Sequence, residues 1–188
     1  APDRALTPAD LKLGMVVELN GSSIQTAGSQ QVADALTITI SSALLGPIDA
    51  IGNDSTLTVM GQTVRIVSST QFEETHPRAA LLIGDVVEIY GFHDAGSSTF
   101  VASRIEVKTA PVTDYVVQGV IQDLDLITNQ CRIGNQTLYY AWTPENTPPG
   151  LANGRVVRAK LLPAAVTDDN NQPIWMARTM TLNDPTAT

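Results

Sequence analysis

Two groups of acidic and histidine side chains are the places where this sequence could bind a metal ion. Glu73, Glu74 and His76 fall in one short stretch, and His93 and Asp94 fall in another. Carboxylates and imidazoles are common metal ligands, but a site needs three or four of them brought together. Since the chain has only 2 histidines, we interpret both groups as solvated loop edges and expect no metal site.

Covalent and acid–base chemistry has equally few candidates. Cys131 is the only cysteine in the chain, and its place in a strand-like run predicts a small buried residue. Paired carboxylates for glycoside hydrolysis could come from Glu73, Glu74, Asp123 or Asp125, but acidic residues at strand ends usually keep turns solvated. Neither a Gly-x-Ser-x-Gly elbow nor a glycine-rich phosphate loop occurs. The sequence therefore predicts a protein that is not an enzyme and has no cofactor, with a hydrolase as a remote alternative.

Aromatic side chains are the remaining candidates for ligand binding. They fall on or beside strand-like runs, where neighbouring residues point to opposite faces, so only one of Tyr139 and Tyr140 can face a core. A ring left exposed could stack on a sugar or a base, or it could cover an interface between modules, which we favour. The candidate binding residues are Tyr90, Phe92, Tyr140, Trp142 and Trp175.

The charge balance bears on the kind of partner. The chain has 11 basic and 19 acidic residues and a net charge of −8, so nucleic acid would meet net repulsion. The one basic cluster, Arg155, Arg158 and Lys160, is interpreted as a solvated strand face or as the complement of an acidic neighbour. No run approaches the ~18 consecutive apolar residues of a membrane-spanning helix. We expect a protein partner or self-association rather than a small molecule, and no membrane span.

An internal repeat organises the elements that would carry these residues. Three similar segments, 13–19, 83–89 and 153–159, contain Gly14, Gly84 and Gly154 at equal intervals of 70 residues. Each segment is followed by a turn-rich stretch and a second strand-like run, at 33–38, 102–107 and 177–182. The repeated unit is therefore predicted to be a β-hairpin.

A three-strand element precedes two of these hairpins. It occupies 46–66 and 119–140, where short β-branched runs of period two are separated by turn residues. Helical periodicity is not sustained over three turns, and only 7–11 and 77–81 predict a short helical turn.

Joining these elements predicts an all-β fold of tandem small five-stranded β-barrels, similar to the oligonucleotide/oligosaccharide-binding (OB) barrel. The predicted domains are an incomplete N-terminal copy over 1–42, which supplies the closing hairpin only, and barrel modules over 43–110 and 111–188. The expected core positions include Val16, Leu36, Ile48, Leu57, Val64, Val86, Ile105, Val120, Leu138, Val156 and Met180.

The module at 43–110 carries a recognisable pattern. It has a Gly-x-Ile-x-x-Ile opening at 46–51, a Leu-x-x-Gly-Asp-x-Val-Glu-x-x-Gly hairpin at 81–91 and a closing Ala-x-x-Ile-Glu-Val at 102–107. With the strand pair at 57–64, this pattern resembles the bacterial exported-protein family called domain of unknown function 5666. The resemblance implies tandem β-barrels in a bacterial periplasmic, cell-envelope or secreted protein, and it brings no catalytic residues.

These observations favour a non-enzymatic module that mediates protein contacts or assembly. The alternative is a barrel that binds glycans or single-stranded nucleic acid through Tyr140 and Trp142. The unpaired hairpin at 14–40 must be covered, because an isolated hairpin is only marginally stable. We expect the first full barrel to cover it within the chain; the alternatives are the same hairpin of a second chain, or strands upstream of Ala1 in a longer protein.

Overall fold

The computed structural model describes residues 7–94, 99–140 and 148–182. Over these residues the secondary structure consists of fourteen β-strands and two 3₁₀ turns, Pro8–Asp10 and Arg78–Ala80. The all-β class predicted from the sequence is confirmed. Both turns fall where the sequence predicts a helical turn, and the Thr7 backbone N–H donates a hydrogen bond of 2.8 Å to the Asp10 carboxylate at the start of the first.

The first four strands form the N-terminal hairpin. They are β1 (Val17–Gly21), β2 (Gln25–Ala27), β3 (Gln30–Val32) and β4 (Ala35–Ile40). β1 pairs antiparallel with β4, and β2 with β3 forms a small second hairpin beyond them. Among the described residues, neither pair joins the large sheet that the other ten strands form.

The next five strands close into a barrel. They are β5 (Leu44–Ile51), β6 (Thr56–Val59), β7 (Gln62–Phe72), β8 (Val86–Asp94) and β9 (Thr99–Val107). β5, β6 and β7 form an antiparallel meander, β8 and β9 form a hairpin, and β5 pairs with β8. The parallel pairing of β7 with β9 closes the ring. This order, with its single parallel pair, is the Greek-key arrangement of the OB barrel.

The last five strands repeat the same arrangement. They are β10 (Tyr115–Asp125), β11 (Gln130–Ile133), β12 (Gln136–Tyr139), β13 (Val156–Thr167) and β14 (Pro173–Leu182). β10, β11 and β12 form the meander, β13 pairs with β10 and β14, and β12 pairs parallel with β14. The chain therefore contains two five-stranded barrels of one topology, preceded by a hairpin.

The core lies inside the two barrels and agrees with most of the expected positions. Buried members of the expected set are Ile48, Leu57, Val64, Ile105, Leu138 and Met180. Half-buried members are Val16, Val86, Val120 and Val156. Val86 and Val156 miss the core because side chains alternate between faces, so their neighbours Val87 and Val157 point inward instead and are 0% exposed. The remaining position, Leu36, is 78% exposed, so its assignment to a core is wrong.

The two barrels meet at a ladder contact and at a pair of turns. Leu45 of β5 pairs with Val116 of β10. The turn before β7 and the turn before β12 also touch, and the Asn135 N–H donates to the Gly61 carbonyl oxygen at 3.3 Å. Gly134 has a φ of +57°, and a Cβ built there would lie 2.8 Å from that oxygen. A glycine is therefore required both by the backbone conformation and by the close approach of the first barrel.

Candidate functional site

The structure does not bring the predicted binding aromatics together on one open face. Tyr90 is 2% exposed and Tyr140 is 6% exposed, so neither ring is accessible to a stacked ligand. Phe92 is 65% exposed on β8. Trp175 is half-buried. Trp142 lies outside the described residues.

Hydrogen bonds explain the positions of the aromatic side chains in the second barrel. The Trp175 indole N–H donates to Gln136 Oε1 at 2.7 Å, and its ring contacts Tyr115 with centroids 5.8 Å apart. The Tyr140 hydroxyl donates to the Asp125 carbonyl oxygen at 3.2 Å, and burial raises the pKa of that hydroxyl. These rings connect strands within one barrel, so their contacts are those of packing side chains.

The residues considered for metal or covalent chemistry lie apart. His76 Nδ1 is 4.0 Å from Glu73 Oε2, while the His93 ring packs edge-on against Phe100 with centroids 5.3 Å apart. Within 7–94, 99–140 and 148–182, no group of three His, Cys, Asp or Glu side chains could hold a metal ion. Cys131 is buried, and burial raises the pKa of its thiol to about 12, which leaves little nucleophilic thiolate.

The N-terminal hairpin has an exposed apolar face. Its apolar side chains alternate along β1 and β4, and Val17 pairs with Ile40 and Leu19 with Ile38. Ile40 is 5% exposed, but Val17 is 40%, Ile38 is 46% and Leu19 is 63% exposed. The expectation that the first barrel covers this hairpin is therefore wrong except at its base, around Ile40.

The same hairpin occurs in both barrels with the same irregularity. The β1–β4 register shifts between Asn20 and Gly21. The β8–β9 register shifts between Tyr90 and Gly91, and the β13–β14 register shifts between Lys160 and Leu161. Each shift falls directly after the fourth paired residue of the hairpin, so the three hairpins are structural equivalents. The N-terminal hairpin thus corresponds to the fourth and fifth strands of each barrel, and among the described residues it pairs with no other strands.

A small cavity marks the interior of this incomplete unit. Its volume is about 190 Å³, and it is lined by Thr7, Pro8, Leu11, Ile38 and Ile40. Leu11 stands 70 residues before Leu81. Leu81 is 6% exposed in the core of the first barrel, while Leu11 is 41% exposed. The cavity therefore occupies the position that core side chains fill in the complete copy.

A buried charge cluster anchors the segment before this hairpin to the first barrel. Glu88 and Glu106 lie opposite each other on β8 and β9, and Lys108 Nζ bridges them at 2.6 and 3.0 Å. Arg104 Nε donates to Glu106 Oε1 at 2.7 Å, and Lys12 Nζ reaches the same oxygen at 3.2 Å. Two like charges directly opposite each other destabilise a β-ladder. Lys108, Arg104 and Lys12 offset this repulsion by pairing with the two glutamates.

The electrostatics of the cluster follow from this geometry. Burial alone would raise the pKa of Glu106, but hydrogen bonds from Arg104, Lys108 and Lys12 outweigh it and lower that pKa to about 2. Burial raises the pKa of Tyr90, and Glu88 and Glu106 raise it further. Glu106 therefore stays ionised at neutral pH, and Tyr90 stays a neutral hydroxyl.

Sequence reasoning missed this cluster. Its signal was present in Glu88 and Glu106, which stand at matching places of two paired strands, but their pairing depends on the register. Two more contacts complete the anchor: Arg104 Nη1 donates to the Leu13 carbonyl at 3.1 Å, and the Ser103 hydroxyl donates to the Gly14 carbonyl at 2.7 Å.

A larger cavity of about 750 Å³ lies between the N-terminal segment and the two barrels. Lys12, Lys108 and Lys160, which are all the lysines of the chain, line it together with Glu88 and Glu106. Lys12 and Lys108 are engaged by carboxylates, and Lys160 also has a polar partner. The cavity therefore presents ion pairs instead of free cations.

The basic cluster of β13 is only in part a solvated face. Arg158 is half-buried, and its Nε donates to the Ser42 carbonyl oxygen at 3.2 Å. Burial lowers the pKa of Arg158, an effect that the nearby Glu88 opposes. For Arg158, the alternative that it complements an acidic neighbour fits the structure.

These features define a pair of OB-type barrels joined to an incomplete third copy. The model of the family described as domain of unknown function (DUF5666) matches residues 46–106. That span runs from β5 to β9, so the resemblance drawn from the sequence is confirmed for the first barrel. A comparison with curated proteins finds no match.

The described residues contain no helix of the length and apolarity needed to cross a membrane.

Proposed function

We propose that this chain is a non-enzymatic assembly module that binds another protein through the apolar face of its N-terminal hairpin. The observation that carries the proposal is the exposure of Val17, Leu19 and Ile38, whose counterparts in both barrels are buried. An apolar sheet face with two unpaired edges is a site for contact with another polypeptide.

Ligand binding by stacking has less support. Of the five candidate aromatics, Tyr90 and Tyr140 are buried and Trp175 has its indole N–H engaged. Phe92 is an exposed ring on the first barrel. The hydrolase alternative gains no support from Cys131, because this thiol is buried.

We further propose that the protein acts in the periplasm, in the cell envelope or outside a bacterium. The match of residues 46–106 to DUF5666 supports this location, because the resemblance implies an exported family. The single cysteine and three lysines of the chain are compatible with it.

Sedimentation velocity tests the role of the hairpin. A second copy of the chain is the partner available in a purified sample, so we expect the wild type to self-associate reversibly as its concentration rises toward about 1 mM. Leu19→Asp should remain monomeric, because it places a carboxylate on the apolar face.

Ile127→Asp is the matched control, since Ile127 is 93% exposed in the turn between β10 and β11 of the second barrel. It should associate as the wild type does. A wild type that stays monomeric throughout the range, or a Leu19→Asp variant that associates equally well, would contradict the proposal.

A further inference from the structure

The apolar face of the N-terminal hairpin matches the inner face of the hairpin of the first barrel at two residue pairs. Val17 and Leu19 correspond to Val87 and Ile89 in the repeat, and their partners Ile40 and Ile38 correspond to Val107 and Ile105. The corresponding side chains differ by at most one methyl group or by a branch point. A set of strands that fits the β8–β9 hairpin therefore fits the β1–β4 hairpin in volume and in shape.

The first barrel shows what those strands are. β5 pairs antiparallel with the outer edge of β8, and β7 pairs parallel with the outer edge of β9. The second barrel uses its own meander in the same way, with β10 on β13 and β12 on β14. Both available examples thus cover this type of hairpin with a three-stranded meander.

The corresponding edges of the N-terminal hairpin are open. β1 and β4 pair only with each other among the described strands. The cavity of about 190 Å³ between the Pro8–Asp10 turn and β4 is lined by apolar side chains of Leu11, Ile38 and Ile40. Inward-pointing residues of a meander would fill this space, as Leu57 and Val64, which are 2% and 0% exposed, do in the first barrel.

We propose that the occupant of the hairpin is a three-stranded β-meander of the kind formed by β5–β7, which binds by strand addition and completes a third OB-type barrel. One strand of the meander pairs antiparallel with β1, another pairs parallel with β4, and apolar side chains on alternate positions enter the cavity. This inference rests on the proposed function and names its partner. Self-association through the same face is then expected to be weaker than binding of the meander.

The test supplies the meander within the chain. A copy of residues 43–76 is placed directly before Thr7, in place of residues 1–6, because Thr7 stands 70 residues before Pro77 and the fusion reproduces the spacing of the first barrel. Covalent linkage raises the effective concentration of the meander to the millimolar range. We expect amide hydrogen exchange in residues 17–21 and 35–40 to slow at least tenfold, and self-association to disappear.

The matched control is the same fusion with Leu57→Asp and Val64→Asp in the added copy only, which should leave exchange in the hairpin as in the wild type. If the fusion does not fold, residues 43–76 are added in trans as a peptide, which should slow the same amides saturably, while the doubly substituted peptide should not.

Unchanged exchange with both the fusion and the peptide would overturn the inference. Equal slowing by the substituted meander would overturn it as well. Neither result would affect the proposed function if the wild type still self-associates through Leu19, so the two failures are distinguishable. A hairpin that pairs with a second copy and ignores the meander would identify the copy as the occupant.

Discussion

At the scale of single residues, the cluster around Lys108 is the place where one side chain matters most. Glu88 and Glu106 are 5% and 4% exposed, and Lys108 contacts both. A buried carboxylate without a cation is far more costly than a buried ion pair is favourable. Lys108 therefore contributes chiefly as the cation that contacts Glu88, since Glu106 is also contacted by Arg104 and Lys12.

Lys108→Met should lower the free energy of unfolding by about 3 kcal/mol, because it keeps the aliphatic stem and removes the shared cation. Urea unfolding followed by far-ultraviolet circular dichroism, which reports on the strands of both barrels, measures the change. Arg65→Met is the control, since Arg65 and Asp94 are 4.0 Å apart with side chains 48% and 41% exposed, and it should cost less than about 1 kcal/mol. Equal losses of unfolding free energy in the two variants would show that the buried cluster contributes no more than an exposed ion pair.

At the scale of elements, one hairpin design has two environments in this chain. The β8–β9 hairpin is closed by a meander and is buried on its inner face, whereas the β1–β4 hairpin is fixed at its base by Ser103 and Arg104 and is open above it. Equivalent side chains therefore differ in how much apolar surface they remove from water.

Ile38→Ala and Ile105→Ala compare these environments directly. Ile105 is 1% exposed and Ile38 is 46% exposed. We expect Ile105→Ala to cost about 2–5 kcal/mol through lost burial and a cavity, and Ile38→Ala less than about 1 kcal/mol. Urea unfolding at about 1 μM protein, where self-association is negligible, gives both values. Similar costs would mean that the hairpin is already covered within the chain.

At the scale of the whole molecule, backbone contacts contribute to the junction between the two barrels. Leu45 and Val116 extend one sheet across the junction, and the turns around Gly61 and Gly134 touch. The glycines at these turns let the two backbones approach each other closely, and an added side-chain atom would push them apart. The junction is therefore sensitive to small additions of volume.

Gly134→Ala should destabilise the chain by about 1–3 kcal/mol more than Gly154→Ala does. Both glycines have positive φ, +57° and +84°, so both variants carry backbone strain. Only the Cβ at Gly134 meets the other barrel, since nothing lies within 4 Å of a Cβ at Gly154. Urea unfolding measures both variants, and an equal loss in each would show that the turns do not couple the barrels.

The positions of the strands, the repeat and the incomplete first copy were predictable from the sequence, because they depend on local features. Alternating apolar residues define each strand, and Gly14, Gly84 and Gly154, all with positive φ, mark the turn before each hairpin. Where two valines are adjacent, however, the alternating pattern does not decide which of them faces the core. We expected Val86 to point inward, but the structure places Val87 there.

The tertiary structure decided the rest because it depends on pairing between distant segments. The register that places Glu88 opposite Glu106, the burial of Tyr90 and the parallel closure of β7 on β9 all join residues whose proximity no local pattern encodes. The same holds for Leu36 and Leu19, whose apolar pattern predicts a buried face. Alternation specifies which face of a strand is apolar, and only the presence of a covering strand determines whether that face is removed from water.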